Sequence, residues 1–238
     1  MELTSTSNEK VKYWQKLKQK KYRDIEKLFL IEDSHLVDIA LSKNIVKEII
    51  TIEDKEYDVP TYKVNEKIMK VLSSQVTSSK VIAVCYLLEE KEVEGNVLIL
   101  DNIQDPGNLG TMIRSAAAFN FKTIILSDDS VSLYNDKVIR ASEGMLFNVN
   151  VLRRNLLDFL PTLSKEYKLV TTNVISGKSI KDINFEMIAL VIGNEGKGIS
   201  KEVADLCDEK VKINMESNCE SLNAGVCASI LMYEVYHG

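Results

Sequence analysis

Three polar loops hold most of the side chains that are suited to chemistry. The first loop, residues 102–110, reads Asn-Ile-Gln-Asp-Pro-Gly-Asn-Leu-Gly and leads into a helical segment that carries Arg114. Pro106 and Gly107 predict a tight turn that leaves helix amides open. Asn108 and the Arg114 guanidinium beside such amides suit an anion or a polarised oxygen. A well-capped turn followed by a surface arginine is the structural alternative.

The second loop, residues 192–200, reads Ile-Gly-Asn-Glu-Gly-Lys-Gly-Ile-Ser. Its G-x-x-G-x-G spacing fits neither a Walker loop nor the dinucleotide fingerprint G-x-G-x-x-G. Three glycines in six residues after an apolar run allow a flat ligand to approach the backbone closely. Glu195 places a charge among these glycines, so we expect a binding loop here, with a plain flexible loop as the alternative.

The third loop, residues 213–223, places Ser221 and Asn223 before the C-terminal helical segment. Either residue is a good helix N-cap. Small residues at the start of that helix indicate the close approach of another backbone, through tight helix packing or through a dimer contact. They are Ala224, Gly225, Ala228 and Ser229.

Short apolar runs and helical segments alternate around these loops. The apolar runs are typical of strands buried in a parallel sheet. They lie at residues 97–100, 123–126, 168–171 and 188–192, and the helical patterns lie at residues 109–119, 156–164, 200–207 and 222–236. In such an α/β sheet ligands bind at the carboxyl ends of the strands, which is where the three loops lie.

The glycines mark a domain boundary, because all 10 of them lie at or after Gly95. Upstream, a helical pattern at residues 34–41 alternates with apolar runs at residues 46–52 and 81–88, which predicts a small α/β domain. A charged stretch without apolar periodicity follows. We therefore expect a first domain of residues 1–88, a linker of residues 89–95 and a second domain of residues 96–238.

Composition excludes several classes of protein. The chain is 45% hydrophobic but has no apolar run near the roughly 20 residues of a membrane-spanning helix. Its first residues are polar and lack the apolar stretch of an export signal, so we expect a soluble, cytoplasmic protein. The four cysteines form no Cys-x-x-Cys pair and only two histidines accompany them, so we expect neither a metal site nor a disulfide framework.

Positive charge is concentrated near the amino terminus of a chain whose net charge is −5. Residues 10–27 hold eight basic residues against two acidic ones, a local excess of six positive charges. Apolar residues at helical spacing, including Ile25, predict one amphipathic helix with a basic face. That face either contacts nucleic-acid phosphates or is solvated surface. The residues expected to make the contact are Lys16, Lys18, Lys20, Lys21 and Arg23.

Taken together, the three loops resemble the motifs of the SpoU (TrmH-type) 2′-O-ribose RNA methyltransferases of the SPOUT superfamily. The similarity lies in residues 102–114, 192–199 and 221–223, in the family's order. Residues 7–12 and 23–32 also resemble the substrate-binding domain of members that modify rRNA, so the resemblance covers nearly the whole chain. The sequence departs from the family pattern at Asn214, where Pro is usual, and at Ser217 and Asp33, where Gly is common.

The resemblance implies an enzyme that uses S-adenosyl-L-methionine to methylate a ribose 2′-hydroxyl in RNA, with rRNA a better candidate than tRNA. It implies a trefoil knot in the second domain and a homodimer formed through that domain. Carried over by motif, the cofactor-binding residues are Thr171, Thr172, Gly193, Ile213 and Leu222. The catalytic residues are Asn108, Arg114, Glu195, Ser221 and Asn223.

Arginine is a poor general base because its guanidinium stays protonated. Arg114 is therefore expected to hold the neighbouring phosphate and to stabilise the developing oxyanion. Three alternatives stay open: a tRNA 2′-O-methyltransferase, a catalytically silent RNA-binding or ribosome-assembly protein of the same fold, and a nucleotide-binding oxidoreductase. The last lacks the expected G-x-G-x-x-G after a strand.

Overall fold

The computed structural model describes residues 2–173, 176–184 and 186–238. The chain divides into two units. The first contains the residues up to Glu89 together with Tyr134–Ile139, and the second contains Glu90–Leu133 and Arg140–Gly238. The second unit therefore begins within the stretch expected to be a linker.

The first unit is a small α/β domain, as its alternating pattern predicts. Its mixed sheet has the strand order β1-β4-β3-β5-β2, in which β5 is antiparallel to both of its neighbours. The elements are β1 (Glu2–Leu3), α1 (Glu9–Lys16), α2 (Lys20–Glu26), β2 (Leu28–Glu32), α3 (Ser34–Ser42), β3 (Val46–Thr51), β4 (Thr61–Val64), α4 (Glu66–Leu72) and β5 (Val81–Tyr86).

The basic stretch forms two helices, so the prediction of a single amphipathic helix is wrong. Helix α1 ends at Lys16 and α2 begins at Lys20. The buried Arg23 guanidinium donates hydrogen bonds to the carbonyl oxygens of Leu17 (3.2 Å) and Lys18 (2.7 Å). Carbonyls after a helix end need such donors, so Arg23 stabilises the break between the helices and is not a free phosphate contact.

Two further residues of this stretch differ from expectation. The Lys18 ammonium donates hydrogen bonds to the carbonyl oxygens of Val71 and Ser73, both at 3.0 Å, at the end of α4. Ile25, expected on the apolar face of a single helix, is 62% exposed. Lys18 therefore stabilises the end of α4. Ile25 is exposed because the break after α1 changes which side of the following residues is buried.

Asp33 adopts the left-handed backbone region, with φ of 96°. This is the position where the resembling family commonly has glycine, which reaches positive φ without steric cost. The Asp33 carboxylate accepts a hydrogen bond from the His35 amide (2.9 Å), and the Asp33 amide donates to Ser79 Oγ (3.2 Å). The N-cap of α3 and this second bond compensate for the strain.

A buried carboxylate, Glu48, ties α1 to the sheet of the first unit. Glu48 is 4% exposed and accepts hydrogen bonds from Trp14 Nε1 (2.7 Å) and Lys10 Nζ (2.8 Å). The Lys10 ammonium also lies 5.1 Å from the Tyr62 ring centroid. A buried carboxylate is tolerated only when it is paired and hydrogen-bonded, and these contacts meet that condition.

The second unit is built on a six-stranded sheet with the order β11-β9-β10-β6-β7-β8, in which every pair of neighbours is parallel. The predicted parallel α/β sheet is therefore confirmed. The elements that follow β5 in the chain are β6 (Asn96–Leu100), α5 (Pro106–Ala118), β7 (Phe121–Leu126), α6 (Asp136–Ala141), β8 (Asn150–Arg153), α7 (Leu156–Leu163), β9 (Lys168–Thr172), β10 (Ile188–Ile192), α8 (Lys201–Ala204), β11 (Glu209–Val211) and α9 (Ala224–His237). All of them belong to the second unit except the first four residues of α6, which belong to the first.

The predicted strands and helices of this unit agree well with the structure. All five residues of β10 are at most 2% exposed, as expected for a strand covered on both faces. Helix α8 is shorter than the predicted segment 200–207. The trefoil knot stays a prediction. Among the described residues, no helix has the length and apolar character needed to cross a membrane.

The sheet order decides where the three loops lie. Strands β9, β10 and β6 are neighbours, and β11 adds to the outer edge of β9. Because all four are parallel, the segments after them leave the same edge of the sheet. These segments include the first loop after β6, the second after β10 and the third after β11.

We predict that Glu48→Ala lowers the free energy of unfolding by about 2 kcal/mol, since it leaves the Trp14 indole N–H and the Lys10 ammonium without their acceptor. Urea unfolding followed through Trp14, the only tryptophan of the chain, measures the change. Asp54→Ala is the matched control, because the Asp54 carboxylate pairs with Lys63 while being 87% exposed and should cost under about 0.5 kcal/mol. Equal losses in the two variants would contradict this role of Glu48.

Candidate functional site

The carboxyl ends of β9, β10 and β11 open into a cavity of about 470 Å³. Its wall contains all of the residues expected to bind cofactor, namely Thr171, Thr172, Gly193, Ile213 and Leu222. Two of the expected catalytic residues, Glu195 and Ser221, also line it. Asn108, Arg114 and Asn223 are not part of this wall.

The second loop is a tight turn held by its own backbone. Asn194 and Gly198 exchange two backbone hydrogen bonds, at 3.0 and 2.9 Å. Asn194 Oδ1 accepts from the amides of Gly196 and Lys197, both at 3.0 Å. The loop therefore presents a fixed backbone edge to the cavity.

Gly193 is required by the loop itself. A Cβ at this position would lie 2.3 Å from the Gly198 carbonyl carbon and 2.3 Å from the Ile199 nitrogen, far inside van der Waals contact. The glycine-rich spacing predicts room for a flat ligand at Gly193, whereas in the structure this glycine makes room for the crossing of the loop's own backbone. Gly196 differs, because a Cβ there meets nothing nearer than 3.7 Å.

The Glu195 carboxylate joins the second loop to the first. It accepts hydrogen bonds from the amides of Gln104 (3.3 Å) and Asp105 (3.1 Å) and from Asn108 Nδ2 (3.0 Å). Burial opposes ionisation of Glu195, but the bonds from Asn108 and the backbone amides outweigh it and hold the pKa of Glu195 below its usual value. A carboxylate with these donors is a structural acceptor rather than a free base.

Asn108 extends this connection to the third loop. Its Oδ1 accepts from Asn223 Nδ2 (2.9 Å), and Asn223 Oδ1 in turn accepts from the amides of Gly225 (2.9 Å) and Val226 (3.2 Å). Asn223 is thus the N-cap of α9, and Ser221 is not. We call Glu195, Asn108 and Asn223 the polar chain, since they link the three loops in sequence.

Two residues that the sequence argument did not select also tie the loops together. The buried Asp101 carboxylate accepts from the Ser200 amide (2.7 Å) and hydroxyl (2.8 Å). Asn194 Nδ2 donates to the Asn102 carbonyl oxygen (2.8 Å). Asp101 could have been selected from the sequence, because it directly follows an apolar strand and so lies at the carboxyl edge of the sheet.

The Thr171 hydroxyl is a buried polar group in the cavity wall. It is 2% exposed and has no hydrogen-bond partner among the residues that the structure describes. Leaving a buried hydroxyl unpaired is costly. A ligand with a polar group at this position would satisfy it.

Arg114 lies on an exposed part of α5. In the described part of the chain its guanidinium has no hydrogen bond or ion pair with another side chain. The guanidinium is therefore available to a partner from outside this chain. The alternative of a surface salt bridge is not seen among the described residues.

The small residues of α9 pack against α5. A Cβ on Gly225 would contact Asn108 and Thr111 at 3.4 Å, and Ser229 Oγ lies 2.7 Å from Ser115 Oγ. These contacts agree with tight helix packing, one of the two interpretations of the small residues. The dimer contact stays a prediction.

Comparison with known proteins gives two matches to families. Residues 95–233 match the SpoU rRNA Methylase family, and residues 8–83 match the MRM3-like substrate binding domain. The chain is 36% identical to the 23S rRNA (guanosine(2553)-2′-O)-methyltransferase RlmP of Bacillus subtilis strain 168, with 98% of each chain covered.

Solved structures share the fold. Crystal structures of an rRNA methyltransferase from Sinorhizobium meliloti, one of them bound to AdoMet, align with a TM-score of 0.89 at 25% identity, covering 100% of this chain and 97% of theirs. The AdoMet complex of the SpoU methyltransferase AviRb from Streptomyces viridochromogenes aligns with a TM-score of 0.87 over 97% of each chain. At 22% identity the latter supports the fold alone.

We predict that Glu195→Gln lowers the free energy of unfolding by about 1 kcal/mol at pH 7, a value reduced by the partial exposure of the carboxylate. The folded pKa lies below the unfolded one, so the stabilisation is present above the unfolded pKa and is lost as the pH falls through the folded pKa. The difference between wild type and variant should therefore shrink in acid. Urea unfolding followed by circular dichroism measures it, with exposed Glu166→Gln as control, and a difference independent of pH would count against the assignment.

Proposed function

This chain belongs to the SpoU rRNA methylase family, and we propose that it transfers the methyl group of S-adenosyl-L-methionine to a ribose 2′-hydroxyl of rRNA. The observation that carries the proposal is the cavity at the carboxyl edge of the parallel sheet, joined through Glu195 to the rest of the polar chain. The names of the relatives, an rRNA 2′-O-methyltransferase among them, support the same reaction.

The cavity wall fits the cofactor. The unpaired Thr171 hydroxyl, the backbone edge of the second loop and the apolar side chains of Ile213 and Leu222 offer both polar and apolar contacts to a flat ligand. When bound, the cofactor supplies a methyl group on a positively charged sulfur. The AdoMet-bound rRNA methyltransferase of Sinorhizobium meliloti supports this assignment.

The residues of the chain divide into positioning and charge-stabilising groups. The polar chain positions the loops, since the Glu195 carboxylate is occupied by three donors. The exposed Arg114 guanidinium binds the phosphate beside the target ribose and stabilises negative charge on the attacking oxygen. The proton of that hydroxyl then passes to phosphate or water. Ser221 contributes a hydroxyl in the cavity wall.

The first unit supplies RNA contacts in this proposal. It matches an MRM3-like substrate binding domain, and its lysines Lys16, Lys20 and Lys21 are exposed. Lys16 Nζ lies 5.7 Å and Lys21 Nζ 6.0 Å from the Tyr22 ring centroid. Lysines bind phosphates without regard to sequence, so this group holds the RNA and does not select the nucleotide.

A homodimer formed through the second unit, in the cytoplasm, completes the proposal. Helix α9 leaves three large apolar or aromatic side chains substantially exposed, Val226 (45%), Tyr233 (47%) and Tyr236 (55%). Phe119, the C-cap of α5, packs against the last two, with ring centroids 5.6 and 6.1 Å away. An exposed apolar patch of this kind is typical of an interface.

We predict that S-adenosylhomocysteine binds with micromolar affinity, about −8 kcal/mol, and that NAD does not bind. Gly193→Ala should weaken binding of S-adenosylhomocysteine at least about tenfold, or about 1.4 kcal/mol, because its Cβ forces the second loop open. Gly196→Ala, the matched control, should change affinity little, since space surrounds that position. Calorimetric titration distinguishes them, and equal affinities in both variants would refute the role of the loop.

We predict that the wild-type chain transfers labelled methyl from S-adenosylmethionine to rRNA from cells that lack the enzyme, and that nuclease digestion yields a 2′-O-methyl nucleoside. Arg114→Ala should lower turnover on the order of 10²-fold, the size of an oxyanion-stabilising contact, and leave affinity for S-adenosylhomocysteine unchanged. Labelling of tRNA alone, or of a base, would overturn the proposed reaction. Wild-type turnover in the variant would remove Arg114 from it.

We predict that reversing Lys16, Lys20 and Lys21 to Glu flattens the salt dependence of RNA binding by about 0.7 to 0.9 units of slope per lost contact. Binding of S-adenosylhomocysteine should not change. Lys18 is kept in this variant because it caps α4. RNA affinity measured against salt concentration tests the prediction, and parallel lines for wild type and variant would show that these lysines are only solvated.

A further inference from the structure

Three lysines stand in the cavity wall with no established role. Lys197, Lys210 and Lys212 line the cavity, and Glu195 is the only acidic residue in the described wall. The Glu195 carboxylate is already occupied by two backbone amides and Asn108. Within the described residues, none of the three ammonium groups has a hydrogen bond or an ion pair, so their charge is uncompensated.

The backbone places two of these lysines on one side of the chain. Lys210 in β11 and Lys212 directly after it flank the buried Val211, so an extended backbone places their Cβ atoms on the same side of the chain, about 6.6 Å apart at a rise of 3.3 Å per residue. The Lys212 amide donates to the Lys178 carbonyl oxygen (3.0 Å), which holds this edge in place. Lys178 itself pairs with Glu209 (3.1 Å) and is neutralised.

Lys197 lies at the tip of the second loop. Its amide is hydrogen-bonded to Asn194 Oδ1 (3.0 Å), so its backbone is fixed while its side chain is exposed. The three lysines thus line the cavity from two separate segments, the loop after β10 and the end of β11.

The charge of the proposed cofactor does not explain them. S-adenosylmethionine carries a sulfonium and an ammonium against one carboxylate, so its net charge is positive, and like charges repel in a partly buried site. Its single carboxylate can pair with one lysine and leaves two. An additional anion is needed at this wall, and the RNA substrate brings phosphates to it.

We propose that Lys197, Lys210 and Lys212 form a second RNA contact, which binds the backbone phosphates flanking the nucleotide that enters the cavity. This inference rests on the proposed function. It gives the second unit further contacts for positioning the substrate, in addition to Arg114 and to the lysines of the first unit, and it orients the ribose hydroxyl toward the cavity.

The test compares wild type with a variant that carries Lys197→Gln, Lys210→Gln and Lys212→Gln. The probe is a short fluorescein-labelled single-stranded RNA, titrated from about 50 to 300 mM KCl. Loss of three contacts should lower the slope of log affinity against log salt by about 2 and weaken binding about 100-fold near 0.1 M salt. Binding of S-adenosylhomocysteine, measured by calorimetry, should stay within about twofold of wild type.

Two further variants make the test specific. Substitution of the same three lysines by Arg keeps the charge and should restore the wild-type slope. Lys165→Gln is the control, because Lys165 is exposed just before β9, at the opposite edge of the sheet, and should leave the slope unchanged.

An unchanged slope in the triple Gln variant would overturn the inference. Loss of S-adenosylhomocysteine affinity with an unchanged RNA slope would do so as well, and would assign the lysines to the cofactor carboxylate. The proposed function fails by a different result, the absence of methyl transfer to rRNA by the wild-type chain.

Discussion

The arrangement of the site depends on one carboxylate whose hydrogen-bond donors come from a neighbouring strand's loop. Glu195 follows β10, and it accepts from the Gln104 and Asp105 amides, which follow β6, and from Asn108 at the start of α5. Parallel strands bring these loops to one edge of the sheet, and the Glu195 carboxylate fixes their distance together with the bonds from Ser200 to Asp101 and from Asn194 to Asn102. Asn108 Oδ1 also accepts a hydrogen bond from Asn223 Nδ2. The hydrogen bonds to Glu195 therefore also help to position α9 and the third loop.

The lysines of this acidic chain fall into two groups. Some are used within the fold: Lys10 pairs with Glu48, and Lys18 caps α4. Others have no hydrogen bond or ion pair within the described residues, and they include Lys16, Lys20 and Lys21 of the first unit and Lys197, Lys210 and Lys212 of the cavity wall. Charged hydrogen bonds to buried acceptors stabilise the fold, whereas unpaired surface lysines contribute little to it. The proposed RNA contacts therefore use lysines that the fold does not require, and the net charge of −5 does not reveal them.

Much of the second unit could be predicted because buried parallel strands are continuous apolar runs, as in residues 188–192. The position of the three loops at one edge of the sheet follows from the parallel order of these strands. The break between α1 and α2 could not be predicted, because it depends on Arg23 reaching the carbonyls of Leu17 and Lys18. Nor could the contact of Asn108 with Asn223, which are 115 residues apart. Spacing identified Gly193 but not its reason, which is backbone crossing within its own loop.

The polar chain is expected to act as one unit. A double-mutant cycle on Glu195→Gln and Asn223→Ala, read out as calorimetric affinity for S-adenosylhomocysteine, tests it directly. The two side chains do not bond to each other and communicate only through Asn108. We predict a coupling free energy above about 0.5 kcal/mol, because each change weakens or removes one of the two side-chain hydrogen bonds that position Asn108. Additive effects, within about 0.3 kcal/mol, would contradict the claim that one chain of hydrogen bonds holds the three loops together.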